Sequence, residues 1–361
     1  MPQKLEIAVF DGDGIGPEIM QPTLELLHRL SISSSEYTLE FKHLPAGASH
    51  YAASGAALPA SSIEAARTAD AILLAAMGDP MIRYADGTEV VPQIDLRVEL
   101  DLFAGVRPVR IPTGALSPLR LPEGRMVDFV LLRESTEGLF FSKDTGTVSS
   151  DEASETLKIT RHKTKQLVRF AIDLARKRKS SGAGPGRVTC IDKANVFRAF
   201  AFFRTVFDAE MAEADDLSAD HAYVDAAALW MVQKPWMFDV MVTENMFGDI
   251  LSDLGAGLMG GLGVAPSADI GHEHAVFQPC HGSAPDIAGQ GVANPFAMIL
   301  SAAMMLDWLG IRKDLPAMRD HAVRLQNAVD LVIAERQHLT RDLGGDATTR
   351  DAAGAVARAL T

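Results

Sequence analysis

Short apolar runs of strand length alternate along the chain with longer stretches whose apolar residues recur at helical spacing. The runs 7–10, Ala71–Ala76, 127–132, 187–191, 223–224 and 238–242 read as strands. Between them, 18–30, 160–179, 196–207 and 226–233 read as amphipathic helices. This order predicts an α/β architecture in which helices cover a mostly parallel sheet. Pro17 stands where the first helix opens, a position at which its missing N–H costs little. The basic run 176–179 suits the C-terminus of the helix before it. Residues 144–159 are polar and rich in Ser, Thr and acids, so they read as an excursion from the compact body, either a mobile loop or an arm gripping a second subunit.

Composition narrows the function classes. At 47% hydrophobic and 22% charged residues, neither a disordered nor a fibrous chain is expected. A net charge of -13 repels phosphate backbones and anionic lipid, which argues against nucleic-acid and membrane partners. A local arginine cluster can still hold an anionic small molecule against that field. Cys190 and Cys280 are the only cysteines, which suits a reducing compartment rather than a disulfide framework. The sequence passes directly into its first strand and holds no uninterrupted apolar stretch of about 18 residues, so a cytoplasmic location is expected.

Candidate chemistry sits at strand ends. The strand that ends in Asp11-Gly12-Asp13-Gly14 resembles the nucleophile loop of haloacid-dehalogenase-type phosphatases, in which one carboxylate attacks phosphorus. Two glycine patterns invite a Rossmann reading and fail it. In Gly12-Asp13-Gly14-Ile15-Gly16-Pro17, proline holds the place of the third glycine. Gly255–Gly260 has the right spacing but follows a helix-like segment rather than a strand. Asp249 and Asp253 fall at i, i+4 on one helix face, where two carboxylates repel unless a hard divalent cation lies between them; their apolar flanks predict burial. Arg97, Arg107 and Arg133 lie in apolar settings and offer planar forks for carboxylates. Lys193 ends another strand, and 278–289 is a loop of small residues suited to hugging a ligand. His272, His274, Cys280 and His281 match no usual zinc spacing.

Taken together, Gly12–Glu18, Asp192-Lys193-Ala194-Asn195-Val196, Thr243–Asp253 and His281–Gly289 strongly resemble the β-decarboxylating dehydrogenases, which include isopropylmalate, isocitrate, homoisocitrate, tartrate and D-malate dehydrogenases. The likeness runs from Ile7 to the segment 344–350. It implies the isopropylmalate/isocitrate dehydrogenase-like fold, not a Rossmann fold, with one α/β domain from 1–103 plus 260–361 and another from 104–259. The second would carry a dimer arm and dimer helices, in a homodimer with shared sites. The resemblance implies that Arg97, Arg107 and Arg133 bind substrate carboxylates. Asp249 and Asp253, with Asp225 of the other subunit, would hold Mg²⁺ or Mn²⁺, and Lys193 of the other subunit would act as base or proton relay. His281, Gly282, Ser283, Ala284, Asp286, Ile287 and Asn294 would line the cofactor. Asp286 accepts hydrogen bonds from free ribose hydroxyls and repels a 2′-phosphate, so NAD is expected; NADP-using relatives carry Lys and Tyr at 286 and 287.

Three departures from the family pattern bear on the reaction. Phe140 stands where relatives carry a catalytic tyrosine, so a non-decarboxylating 2-hydroxy-acid dehydrogenase stays open as an alternative. Gln278 replaces a common Glu beside the cofactor loop, which removes one negative charge. The substrate-reading segment 89–95 has Val90, Val91, Gln93 and Ile94 where isopropylmalate enzymes carry Glu at 90 and leucines at 93 and 94, and isocitrate enzymes carry Ser at 91. A catalytically silent regulatory subunit is a further alternative, opposed by the intact Lys193, Asp225, Asp249 and Asp253.

Overall fold

The computed structural model describes residues 2–112, 114–143 and 145–360. Among the described residues twelve strands appear: β1 (Gln3–Gly12), β2 (Tyr37–His43), β3 (Ala71–Ala76), β4 (Ala104–Ile111), β5 (Val127–Glu134), β6 (Thr147–Val148), β7 (Ala153–Ser154), β8 (Arg187–Asp192), β9 (Ser218–Tyr223), β10 (Val240–Thr243), β11 (Pro266–Ile270) and β12 (Ala275–Pro279). The helices are α1 (Gly16–Ile32), α2 (Ala48–Ser54), α3 (Ala60–Thr68), α4 (Pro92–Glu99), α5 (Arg161–Ser181), α6 (Arg198–Met211), α7 (Val224–Gln233), α8 (Asn245–Met259), α9 (Phe296–Arg312), α10 (Pro316–Glu335) and α11 (Thr349–Ala359). Among the described residues no helix is long and apolar enough to cross a membrane.

Ten strands join one sheet in the order β2-β1-β3-β12-β11-β4-β5-β10-β8-β9. The expectation of a mostly parallel sheet holds at both flanks. The middle differs, because β12–β11, β11–β4 and β4–β5 are antiparallel. Side chains alternate across the sheet and build a core on each face. Leu5, Ile7, Val9, Leu73 and Ala75 face the larger core, while Ala8, Phe10, Ile72 and Leu74 face a smaller one with Leu96 of α4 and Leu100 just after it. Burial of each such valine, leucine, isoleucine or phenylalanine side chain stabilises the fold by roughly 1.5–3 kcal/mol. It also pins α4 over the sheet, and with it Arg97.

Three local readings change. Residues 223–224 are a strand only in their first half: Tyr223 ends β9, which begins earlier at Ser218, and Val224 opens α7, because the aromatic and β-branched pair straddles a boundary. The basic run 176–179 is more than a solvated helix end. Arg178 turns inward, with its Nε 2.7 Å from a buried Asp239 oxygen and its NH1 3.0 Å from Asp128. The excursion proves to be a small exposed hairpin, Thr147–Val148 paired with Ala153–Ser154; Asp144 at its start lies outside the described residues.

Candidate active site

Arg97, Arg107 and Arg133 reach one cavity of about 150 Å³ from three different elements, α4, β4 and the end of β5. What gathers them is a residue that the sequence pattern did not single out. Asp269 on β11 is fully buried, 3.0 Å from Arg97 Nε and 3.1 Å from Arg107 NH2. Burial alone would raise its pKa, but the Arg107, Arg97 and Arg133 charges outweigh that and bring it down to about 2. Gln278 Nε2 donates to the same carboxylate across 2.6 Å. An ionised carboxylate thus lies directly against the uncharged Gln278 side chain. Burial pushes Arg133 down to about 10, helped by the neighbouring Arg97 and Arg107 charges, so it stays cationic at neutral pH. Its Nε donates to Asn245 Oδ1 at 2.8 Å, its NH1 pairs with Asp249, and its guanidinium carbon lies 5.0 Å from the centre of the Phe140 ring.

Asp249 and Asp253 enter the same cavity from α8. The helix opens on Glu244, whose side chain accepts from the backbone N–H of Met246 and Phe247. Gly248 lets it lie against β5, since a Cβ there would sit 2.6 Å from Arg133 Cβ. The expected burial of the acid pair is corrected: both are exposed, because Leu251, Gly255 and Leu258 supply the buried face of α8 and the acids project from another. Partial burial and the Asp249 charge raise the Asp253 pKa, as two unscreened carboxylates one turn apart require. Among the described residues, no three acid, His or Cys side chains of this chain converge as a metal site.

The loop after β12 forms the opposite wall. His281 and Gly282 line the cavity. The His281 Nδ1 lies 2.9 Å from the Gly282 carbonyl, its Nε2 is buried without a partner, and burial lowers its pKa, which keeps the ring neutral. Ser283 is buried, Ala284 takes φ +38, Asp286 is exposed and Ile287 half-buried. Asn294 is buried and donates to Asp342 Oδ2 at 2.9 Å, a partner that the sequence did not suggest. Glu18 accepts from the N–H of Gly291 and Ala293 and steadies the same loop.

The glycine-rich turn after β1 docks on this loop. Gly14 (φ +57) packs so closely that a Cβ would lie 2.0 Å from the Ser283 carbonyl oxygen. Asp13 spends its carboxylate on the N–H groups of Ala48, Ser49 and Gly78, and Asp11 pairs with His43 at 2.6 Å. Neither resembles a free nucleophile, which removes the phosphatase alternative. Lys193 and Asp225 are not brought to the cavity within the chain. They form an ion pair of 2.6 Å between the end of β8 and the start of α7, with Asp225 exposed.

The sequence matches the isocitrate/isopropylmalate dehydrogenase family over residues 6–356, and the chain belongs to that family. It is 40% identical over 354 residues, 98% of each protein, to a 3-isopropylmalate/3-methylmalate dehydrogenase of Methanocaldococcus jannaschii. It is 41% identical over 357 residues, 97% of this chain and 98% of the other, to a 3-isopropylmalate dehydrogenase of Streptococcus thermophilus. A solved isocitrate dehydrogenase from Methylococcus capsulatus superimposes with a TM-score of 0.86 at 32% identity, covering 99% of both chains. The protein is accordingly a dehydrogenase with this family's fold.

Proposed function

We propose that the chain catalyses NAD- and Mg²⁺- or Mn²⁺-dependent oxidation of a small 2-hydroxy di- or tricarboxylate, with β-decarboxylation. The observation that carries this reading is one cavity holding three arginines opposite two carboxylates. Guanidinium groups with donors left over fit a polyanionic substrate: Arg97 uses only Nε on Asp269, and its terminal nitrogens remain for carboxylates. The Asp249–Asp253 pair, mutually repelling and open to the cavity, fits a hard divalent ion. When bound, such an ion would lower the pKa of the substrate hydroxyl and stabilise negative charge on the oxidised product. The arginines hold the departing carboxylate beside the reacting carbon, which lowers the barrier by orientation.

Lys193 and Asp225 take their roles, in this reading, across a homodimer interface. Lys193 moves the hydroxyl proton, and the partner's Asp225 completes the set of carboxylates. Several features support a partner. An isolated two-stranded hairpin such as β6–β7 is marginal alone. The adjacent helices α7 and α8 leave Leu229, Val232 and Ile250 exposed. The division into 1–103 plus 260–361 and 104–259 fits the sheet, since β11–β4, a three-residue pairing, joins five strands on each side of that line. Two free thiols, Cys190 and Cys280, suit the cytoplasm.

NAD is favoured because Asp286 is exposed on the loop and would meet a 2′-phosphate with like charge. A second reading, oxidation without decarboxylation, rests on Phe140, whose ring cannot donate a proton. The test is NADH formation from a panel of 2-hydroxy di- and tricarboxylates with Mn²⁺. At least one is expected to give metal-dependent turnover; absence of turnover with NAD and NADP across the panel contradicts the reading.

A further inference from the structure

The strands that deliver Lys193 and Asp225 end side by side. In the parallel β8–β9 ladder Asp192 pairs with Tyr223, so Lys193 directly follows the one and Asp225 follows the other by two residues. Arg204 on α6 grips both strand ends. Its Nε and NH2 each lie 2.7 Å from an oxygen of Asp192, a two-pronged pair with a fully buried carboxylate. Its guanidinium carbon lies 5.2 Å from the centre of the Tyr223 ring. Asp192 passes the hold onward, since the same carboxylate accepts from the N–H of Ala194 at 2.8 Å and so fixes the turn that carries Lys193. Arg204 is itself anchored. Phe203 and Phe207 of α6 are buried in the core, and Phe200 stacks on Phe247 of α8 with ring centres 4.7 Å apart.

A guanidinium does here what an ammonium cannot. Its planar fork fixes the carboxylate in two directions while its face covers an aromatic ring; a lysine offers a single point of charge. The Lys193–Asp225 ion pair of 2.6 Å thus joins two side chains whose backbones are set by one cation. We propose that Arg204 is a positioning residue that sets Lys193 and Asp225 as one unit for the neighbouring subunit's site. The inference rests on the dehydrogenase reading above, in which these two residues act across a homodimer. Arg204 acts through Asp192 and Tyr223 rather than on the reacting atoms. Misplacing a catalytic group by about 1 Å can cost on the order of 10²-fold in rate.

The test compares the wild type with Arg204→Lys, which keeps a cation against Asp192, so the chain retains its buried pair and loses the fork. Turnover is followed as NADH formation, Mn²⁺ affinity by calorimetry and NADH affinity by fluorescence. Expected are a fall in kcat and a loss of Mn²⁺ affinity, each of roughly 10–10²-fold, with NADH affinity unchanged. Mixed dimers show which site is affected. Arg204→Lys chains exchanged with Arg133→Ala chains should regain about a quarter of wild-type activity; exchanged with Lys193→Ala chains they should regain none. Wild-type kcat or Mn²⁺ affinity in Arg204→Lys, an equal loss of NADH affinity, or regain in both exchanges overturns the assignment. If no substrate yields NADH in the wild type, the dehydrogenase reading fails and the affinities decide Arg204 alone. Mn²⁺ binding weakened in Arg204→Lys with NADH affinity intact then supports the positioning role. Mn²⁺ binding equal in the two chains, or absent from both, overturns it.

Discussion

Gln278 donates its amide to Asp269 across 2.6 Å, and through that buried carboxylate it is linked to both Arg97 and Arg107. The relationship sets a buried negative charge directly against the uncharged Gln278 amide and beneath two arginines of the cavity. It predicts that Asp269→Asn strands two guanidinium groups in a buried setting. The expected cost is about 3–5 kcal/mol at pH 7, read as a lower urea midpoint. The folded-state pKa of about 2 lies below the usual carboxylate value, so ionised Asp269 stabilises the fold above that usual value. That contribution, on the order of 2 kcal/mol, is lost as pH falls towards 2. The gap between wild type and Asp269→Asn should narrow over the same window. Identical midpoints at pH 7 would show that Asp269 does not hold the arginines.

Three of the strands that the sequence pattern did not single out, β4, β11 and β12, carry most of this cluster. β3 and β5 announce themselves as apolar runs. β4 interleaves Arg107, Pro108 and Arg110 with valines, β11 carries Ser267 and Asp269, and β12 carries Gln278. Strand patterning assumes that buried positions are apolar, and here buried charges are paired with one another instead. Asp269 could not be found because its partners lie 162 and 172 residues away in the chain. By contrast, Asp249 and Asp253 were legible from their helical spacing within a family motif, and Arg97, Arg107 and Arg133 from their apolar settings; the fold brings all five to one cavity. Lys193 and Asp225 stand apart from that cavity within one chain, as the proposal that they act across an interface requires.

Cofactor choice is expected to follow Asp286 and Ile287. NAD should exceed NADP in kcat/KM by a large factor, since a carboxylate facing the 2′-phosphate costs several kcal/mol, on the order of what like-charge juxtaposition costs at an interface. The double variant Asp286→Lys, Ile287→Tyr should narrow or reverse the ratio. Equal use of the two cofactors by the wild type would mean that the loop meets the ribose elsewhere.

Phe140 packs its ring 5.0 Å from the Arg133 guanidinium and offers no proton. General acid catalysis is typically worth about 10²–10⁴-fold, so protonation of the carbon left by departing CO₂ should be slow. Phe140→Tyr is expected to speed formation of the final 2-keto acid from the enol left by CO₂ more than NADH formation when both are followed in one reaction. If the wild type forms keto acid and NADH in step and the variant changes neither, Phe140 acts only by packing against Arg133.

Shared sites make a prediction about mixed dimers. Lys193→Ala and Arg133→Ala chains are each expected to be inactive alone. After subunit exchange, half the dimers are mixed and each has one intact site, so about a quarter of wild-type activity should return. Verified mixed dimers without activity would place Lys193 and Arg133 in the same chain's site.

Metal-dependent transfer of hydride from C2 of a 2-hydroxy acid to the nicotinamide is the reaction proposed for this cavity. The most direct measurement uses a substrate deuterated at C2 and follows the label by mass spectrometry, with Mn²⁺ and then after exhaustive chelation with EDTA. Deuterium should appear in the reduced cofactor with Mn²⁺, vanish with EDTA, and fall sharply in Asp249→Asn and Asp253→Asn at limiting Mn²⁺. Product formed with the label lost to solvent, or label transfer that survives chelation, would contradict the account.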